Sequence, residues 1–228
     1  MNIDFSPLLI SIKTSLVAIF FTVILGIAAA RATLNASGRV QWILDVVFTF
    51  PLVLPPTVVG YILLVIFGRN SAIGQFLTKL GISIIFTWQA TVLAAIIVSF
   101  PLMYRATKGA FEQIDTNLIW AARTLGLSEF KIFIKIMIPL ALPGILSGAI
   151  LAFARALGEF GATLMIAGNI PKVTQTIPIA IYFANAAGKT KEAGFWTLVI
   201  IVISLIVLGF MNYLSFKDKK SATGGGIK

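Results

Sequence analysis

Apolar residues fill this chain in long runs that short polar stretches interrupt. A membrane-spanning helix needs about 20 consecutive apolar residues, and the runs of that length are 9–30, 43–67, 84–104, 132–157 and 196–216. The pattern predicts an all-α integral membrane protein with about five transmembrane helices. We expect one transmembrane domain, residues 9–216, followed by a flexible cytoplasmic tail, residues 217–228.

Composition supports the membrane assignment and removes several kinds of chemistry. Of 228 residues, 58% are apolar and 11% are charged, whereas soluble domains average about 45–50% and 25%. The chain has no cysteine and no histidine, which excludes disulfides, thiolate nucleophiles and histidine-based catalytic or metal sites. We therefore predict no catalytic residue, no metal site and no cofactor bound by this chain.

The net charge of +10 is explained by the excess of cations in cytoplasmic loops of membrane proteins rather than by nucleic-acid binding. The richer loops hold eleven cations: Arg31, Arg39, Arg105, Lys108, Arg123, Lys131, Lys135, Lys217, Lys219, Lys220 and Lys228. The opposite loops hold six: Lys13, Arg69, Lys79, Lys172, Lys189 and Lys191. This asymmetry predicts that the N-terminus is outside and the C-terminus cytoplasmic.

A charged cytoplasmic loop, residues 105–131, interrupts the apolar runs. Asp115 or Thr116 is suited to cap a short helix there, and Gly126 is suited to the position just after its end. At helical spacing, one face of this helix carries Leu118, Ala121, Ala122 and Leu125. The pattern fits either a small-faced helix that enters a groove on a partner or an ordinary amphipathic helix that rests on lipid headgroups.

A longer motif favours the partner. The spacing A-A-x-x-x-G-x9-I-x-[LI]-P is formed here by Ala121, Ala122, Gly126, Ile136, Ile138 and Pro139. It resembles the cytoplasmic "EAA" loop of ABC importer permeases, which docks on the ATP-hydrolysing subunit. The glutamate of that motif is Trp120 here, so an ion pair made by that glutamate is not expected. The resemblance implies an ATPase-coupling site at Trp120, Ala121, Ala122, Arg123, Leu125 and Gly126.

Four further stretches are similar to the molybdate-type permeases of that family. They are FPLVLPPTVVGYILLVIFGR (50–69), SFPLMYRATKGAFEQID (99–115), AARTLG (121–126) and LPGILSGAILAFARALGEFGATLMIAGNIP (142–171). The resemblance runs from about residue 9 to 214. It does not separate molybdate from tungstate, and sulfate or another oxyanion stays an alternative.

This resemblance implies a type I importer permease in the plasma (inner) membrane of a prokaryote. It implies a homodimer with the pathway along its two-fold axis, two ABC ATPase subunits on the cytoplasmic side that bind ATP and Mg, and an extracytoplasmic molybdate-binding protein. The chain itself is then no enzyme. Its stretch AAGKT (186–190) lacks the first glycine of a phosphate-binding loop, which argues that ATP is bound elsewhere. We expect Gly126→Pro or Ala122→Glu to abolish ATPase binding and leave membrane insertion intact.

Prolines and hydroxyl groups in the spans are candidates for the gate and the pathway. Because proline removes a helix hydrogen bond, kinks near the cytoplasmic face are able to shape an inner gate. The candidates are Pro51, Pro55, Pro56, Thr57, Ser99 and Pro101, with Thr163 and Asn169 as further polar groups. The alternative is structural: proline is common in membrane helices, and hydroxyl groups bond to helix carbonyls or to neighbouring helices.

Arg155 and Glu159 are four residues apart and share a helix face near the outer end of the fourth span. They fit either the outer mouth of a pathway or a structural ion pair. An ion-coupled secondary transporter would need intramembrane carboxylates, and Glu159 is a poor candidate for that role. A membrane scaffold without transport is the remaining alternative. The outer loop 158–195 has apolar pieces too short to span, which fit a segment that re-enters the membrane.

Overall fold

The computed structural model describes residues 4–223, with side chains described for residues 4–210. This part of the chain is helical and contains no strand. The helices are α1 (Ser6–Leu34), α2 (Gly38–Val53), α3 (Pro56–Phe67), α4 (Ala72–Lys79), α5 (Trp88–Glu112), α6 (Thr116–Thr124), α7 (Glu129–Ile132), α8 (Ile138–Leu157), α9 (Gly161–Ala167), α10 (Ile177–Ala186) and α11 (Thr190–Thr223). A π-helical turn, Phe133–Met137, joins α7 to α8.

Four continuous helical segments are long and apolar enough to cross a membrane: Ser6–Leu34, Trp88–Glu112, Glu129–Leu157 and Thr190–Phe210. Each overlaps a predicted span and extends it, since helices continue beyond the hydrocarbon-length run that hydropathy detects. The helix α11 runs to Thr223, so residues 217–223 continue the helix where a tail was expected. Residues 224–228 lie outside the described part.

The fifth predicted span, 43–67, is not one helix. It is the pair α2 and α3, bent by 109° at Leu54 and Pro55. Each of these two residues precedes a proline, and both have the extended ψ values that this position favours, 140° and 134°. Two successive extended residues end α2 and redirect the chain, and Pro56 then opens α3.

Contacts between α1 and α5 show that these helices run in the same direction. The Thr14 and Thr91 hydroxyl groups are hydrogen-bonded at 2.9 Å, and those of Thr22 and Ser99 at 3.2 Å. Because both helices begin at the same end of the bundle, the chain between them must cross back, and α2 with α3 makes this crossing. Counted with the four continuous helical segments, the bent pair brings the candidate spans to five. The end with the eleven loop cations is called the cytoplasmic end below.

Small residues let the helices approach closely. A Cβ atom on Gly144 would lie 2.5 Å from the Ala110 Cβ, and one on Gly148 would lie 2.6 Å from the Ala106 Cβ. These contacts hold α8 against α5. Close approach of small-residue faces is a common source of helix association in membranes, where lipid is as apolar as the side chains.

The short helix α9 fills the outer half of the bundle. Its buried Ala162 and Ile166 pack with Val59 of α3 and Val98 of α5. Val98 is ten residues into α5, about 15 Å from its start. The outer loop therefore enters the bundle here, and protein covers its backbone as a re-entrant segment requires.

Gly60 is the closest contact between α3 and α9. A Cβ atom at this position would lie 2.7 Å from both the Cα and the carbonyl oxygen of Ala162. Since backbone would have to move, we expect Gly60→Ala to lower the free energy of unfolding by about 2 kcal/mol, measured as an earlier thermal transition of the purified protein in detergent. Gly109→Ala is the matched control because open space surrounds Gly109; equal transitions for both variants would contradict the prediction.

Candidate functional site

The cytoplasmic loop folds as its local signals predict. The Asp115 carboxylate accepts a hydrogen bond from the Asn117 N–H at 2.9 Å and so caps α6. Gly126 follows the helix with φ +76°, in the left-handed region where glycine is favoured. Its N–H donates to the Arg123 carbonyl at 2.9 Å. These contacts close a compact turn between α6 and α7.

The two alanines of the motif face in different directions. Ala121 is exposed, whereas Ala122 is 4% exposed and belongs to the core of the bundle. The prediction that both alanines present one outward surface is wrong for Ala122. The outward apolar surface is instead made by Leu118, 48% exposed, and Leu125, 81% exposed. This correction matters because Ala122→Glu would place a charge in the core and disrupt the loop itself.

Trp120 and Arg123 lie beside that surface and contact each other. The Arg123 guanidinium is 4.9 Å from the centre of the Trp120 ring, within cation–π range. Arg123 also forms a double contact with the Glu129 carboxylate, at 2.7 and 3.2 Å. The hydrogen bond to Glu129 raises the pKa of Arg123 above its ordinary value. The loop therefore carries a cation that is held in place by an aromatic ring and by an acid.

A π-helical turn connects this loop to α8. The Ile138 N–H donates to the Phe133 carbonyl, five residues earlier. Pro139 has no N–H and its ring would clash with the carbonyl of Lys135 in a regular α-helix. The wider turn accommodates this proline. The π-helical turn Phe133–Met137 therefore forms an elbow that leads from α7 into the membrane span α8.

The proline candidates divide into two groups. Pro55 and Pro56 lie at the bend between α2 and α3, whereas α2 continues through Pro51 and α5 through Pro101. Pro51 is about 20 Å from the cytoplasmic start of α2, and Pro101 about 17 Å from the cytoplasmic end of α5. That kinks at these two prolines lie near the cytoplasmic face and shape an inner gate stays a prediction.

The hydroxyl and amide candidates also lie apart. Thr57 is exposed at the start of α3. Ser99 is buried between helices, where its Oγ donates to the Ala95 carbonyl at 2.6 Å and contacts Thr22. Asn169 accepts a hydrogen bond from Gln175 at 2.9 Å, and Thr163 is buried. Ser99 therefore matches the structural alternative, and Thr57 is the candidate at an exposed break of the helix.

The outer pair is formed as predicted. The Arg155 Nη1 is 2.7 Å from one Glu159 oxygen, and the other Glu159 oxygen accepts a hydrogen bond from the Ala162 N–H at 2.7 Å. Glu159 is 3% exposed. Its carboxylate thus joins the end of α8 to the start of α9, which fits the interpretation as a structural ion pair.

A polar network at the cytoplasmic end joins three helices. Asp45 of α2 accepts hydrogen bonds from Tyr104 and, at 2.6 Å, from Lys108 of α5. The Tyr104 hydroxyl also donates to Thr33 of α1 at 3.1 Å. None of the side chains of α2 is fully buried. The network is therefore a principal attachment of α2, the cytoplasmic part of the bent span.

The family of the chain follows from a match that covers most of its length. The profile of the family described as "binding-protein-dependent transport system inner membrane component" matches residues 22–217. The chain belongs to this family. As a transport-system membrane component it spans the membrane several times, and its role is that of a transport subunit.

Two curated relatives match this chain over nearly its full length. The YvgM protein of Bacillus subtilis (strain 168) is 49% identical over 209 residues, which is 91% of this chain and 92% of that protein. The molybdenum transport system permease protein ModB of Escherichia coli (strain K12) is 44% identical over 221 residues, 96% of each chain.

Solved structures show the same fold at lower identity. The MetNI methionine ABC transporter has a chain with a TM-score of 0.73 at 16% identity, covering 91% of this chain and 92% of that one. A bacterial alginate ABC transporter in complex with its periplasmic protein gives 0.76 at 14% identity, covering 96% and 81%. These likenesses establish the architecture of an ABC importer permease for this membrane component.

The sequence did not reveal the ion-pairing roles of three residues: Asp45, Lys108 and Glu129. Asp45 lies within the predicted span 43–67, where a charge is costly unless it is paired. That cost was a signal that a cation on another helix should lie nearby. Glu129 gave no comparable signal, because an acid at a helix start is common in surface loops.

Proposed function

We propose that this chain is the membrane-spanning subunit of an ATP-driven importer for molybdate, and for tungstate where it is supplied. The observation that carries this proposal is the 44% identity to the Escherichia coli molybdenum permease over 96% of both chains. The matched length, 96% of each chain, spans the loop, the bent span and the outer pair. A permease for another oxyanion, sulfate above all, is the second candidate, because tetrahedral oxyanions differ little in shape.

The proposed complex lies in the plasma (inner) membrane of a prokaryote. Two copies of this chain surround the pathway, two ABC ATPase subunits bind ATP and Mg on the cytoplasmic side, and an extracytoplasmic protein delivers the oxyanion. Closed two-fold dimers are the commonest oligomers. In this chain the exposed Leu118 and Leu125 of α6 form the apolar contact with the ATPase.

Transport in this complex is a shift between two populated states. ATP closes the ATPase pair, which moves α6 and, through the elbow at Phe133–Met137, rocks α8 between inward-open and outward-open arrangements. Nucleotide drives this change only if it has different affinities for the two states. The permease chain makes and breaks no covalent bond.

An ion-coupled transporter is disfavoured by the carboxylates of the spans. Coupling by protons or sodium ions uses intramembrane acids that are free to bind the ion. Asp45 is 2.6 Å from Lys108, and Glu159 is 2.7 Å from Arg155. Both acids therefore have a cation already in contact.

Uptake by the reconstituted complex tests the function. Vesicles that contain this chain, its ATPase and the binding protein should accumulate labelled molybdate with ATP, and vesicles without ATP should not. Excess tungstate should compete and excess sulfate should not. Equal competition by sulfate would contradict the molybdate assignment, and uptake driven by an ion gradient without ATP would contradict the ATP-driven mechanism.

A further inference from the structure

The cytoplasmic loop has a glutamate nine residues after Trp120, the position where the resemblance places one. Glu129, the first residue of α7, receives both Nε and Nη2 of Arg123 on its two oxygens. A side-on double contact of this kind fixes the guanidinium plane as well as its distance. The orientation of α6 relative to α7 is therefore set by Glu129.

The same carboxylate also reaches the first span. The Arg31 Nη2, near the cytoplasmic end of α1, is 3.3 Å from the Glu129 Oε2. The Arg31 Nη1 donates to the Met137 Sδ at 3.2 Å, and its guanidinium lies 5.3 Å from the centre of the Phe133 ring. Arg31 thus contacts Glu129 at the start of α7 and the residues at both ends of the π-helical turn.

Apolar packing also connects α6 to α1, because Ala122 and Ala30 belong to the same buried core. On the side of the loop that faces away from this core, a cavity of about 300 Å³ lies between the end of α1 and α6, and it is lined by Asn35, Trp120, Arg31 and Arg123. Beside this cavity, a polar connection from α6 to α1 passes through Arg123, Glu129 and Arg31.

The first span is well placed to receive a movement of the loop. Along its length α1 packs against α5, with hydrogen bonds at Thr14 and Thr22. The C-terminal part of α1 joins α5 and α8 in one core, in which Ala30 and Met103 are fully buried. Because a close-packed core transmits displacement, a pull on the end of α1 acts on the whole bundle.

We propose that Glu129 is a positioning residue for coupling: it transmits the movement of α6 to α1, in addition to the covalent route through the elbow into α8. This inference rests on the proposed function, in which α6 is moved by an ATPase. The docking surface itself is the separate apolar face at Leu118 and Leu125. Loss of Glu129 is therefore expected to uncouple the transporter without releasing the ATPase.

Glu129→Gln in the complete complex tests this proposal, since glutamine keeps the size and loses the charge. We expect the ATPase to copurify at the wild-type ratio and to hydrolyse ATP, while molybdate imported per ATP hydrolysed falls about three- to tenfold, as the loss of two exposed ion pairs allows. Glu192→Gln is the matched control. Its acid is partly exposed and pairs with Lys189 at 3.8 Å on the outer side, away from the cytoplasmic loop, so its ratio should equal that of wild type.

Arg31→Gln separates transmission from a local effect on α6. If Glu129 acts through Arg31, this variant should lower the same ratio, and the double variant should be no worse than Glu129→Gln alone. Additive losses would contradict transmission through Arg31, and an unchanged ratio in Glu129→Gln would contradict the positioning role. Loss of the ATPase from Glu129→Gln would assign the residue to docking and overturn the proposal. A wild-type complex that binds no ATPase or imports no molybdate would instead count against the proposed function.

Discussion

Leu125→Glu removes the ATPase partner from the purified complex. Leu125 is 81% exposed on α6 although it is a large apolar residue of a folded loop. Burial of such a side chain at an interface contributes about 1.5–3 kcal/mol, and a carboxylate in its place adds a desolvation cost. A total above about 3 kcal/mol weakens binding more than a hundredfold.

Copurification on a tag carried by this chain measures that effect, with the amount of ATPase normalised to the amount of permease. Leu80→Glu is the control, because Leu80 is also apolar and 59% exposed but lies at the end of α4 on the outer side. Wild-type recovery of ATPase with Leu125→Glu would exclude this face as the docking surface. Ala122→Glu is a poorer test, since Ala122 is buried in the core.

We expect Asp45→Asn to lower the free energy of unfolding by about 3 kcal/mol. This is the lower end of the range for breaking a buried ion pair, because Asp45 is partly exposed. The side chain of Lys108 is 16% exposed and that of Asp45 33% exposed. Without the Asp45 carboxylate, the largely buried Lys108 keeps only Glu112 as an ionic partner, at 3.5 Å. Tyr104 also loses an ionised acceptor.

Thermal unfolding of the detergent-purified chain measures this loss as a lower transition temperature. The double variant Asp45→Asn, Lys108→Met should recover most of the stability, because it also removes the largely buried charge that has lost its nearer partner. Glu192→Gln serves as the control for loss of a partly exposed acid whose ion pair is long, at 3.8 Å. A transition temperature equal to that of wild type, or a double variant less stable than Asp45→Asn, would contradict the network.

Local signals along the chain predicted several features correctly. The cap at Asp115 and the left-handed turn at Gly126 are formed as expected, because each depends on residues within one helical turn. The pair Arg155 and Glu159 was predictable for the same reason, since residues four apart meet on a helix.

The direction in which a side chain or a helix points was harder to predict from the sequence. Ala122 was expected on the outward face of α6, but the face that packs inward depends on where α5 and α8 lie. The run 43–67 was expected to be one span because hydropathy measures how apolar a segment is and not which way it points. The two prolines at the bend carried the signal, but proline alone does not distinguish a kinked helix from a broken one.

Hydropathy was sufficient for the membrane class and for the positions of the candidate spans, four continuous helices and one bent pair, because these depend on the free energy of each segment in lipid or water. The orientation drawn from the loop charges stays a prediction. Only the tertiary structure brings Asp45 to Lys108, 63 residues away, and Glu129 to Arg31, 98 residues away. Ion pairs form between side chains that the packed backbone places a few ångströms apart. Linear order carries no such distance, so the polar contacts that hold α2 and connect α6 to α1 were decided by the packing of the helices.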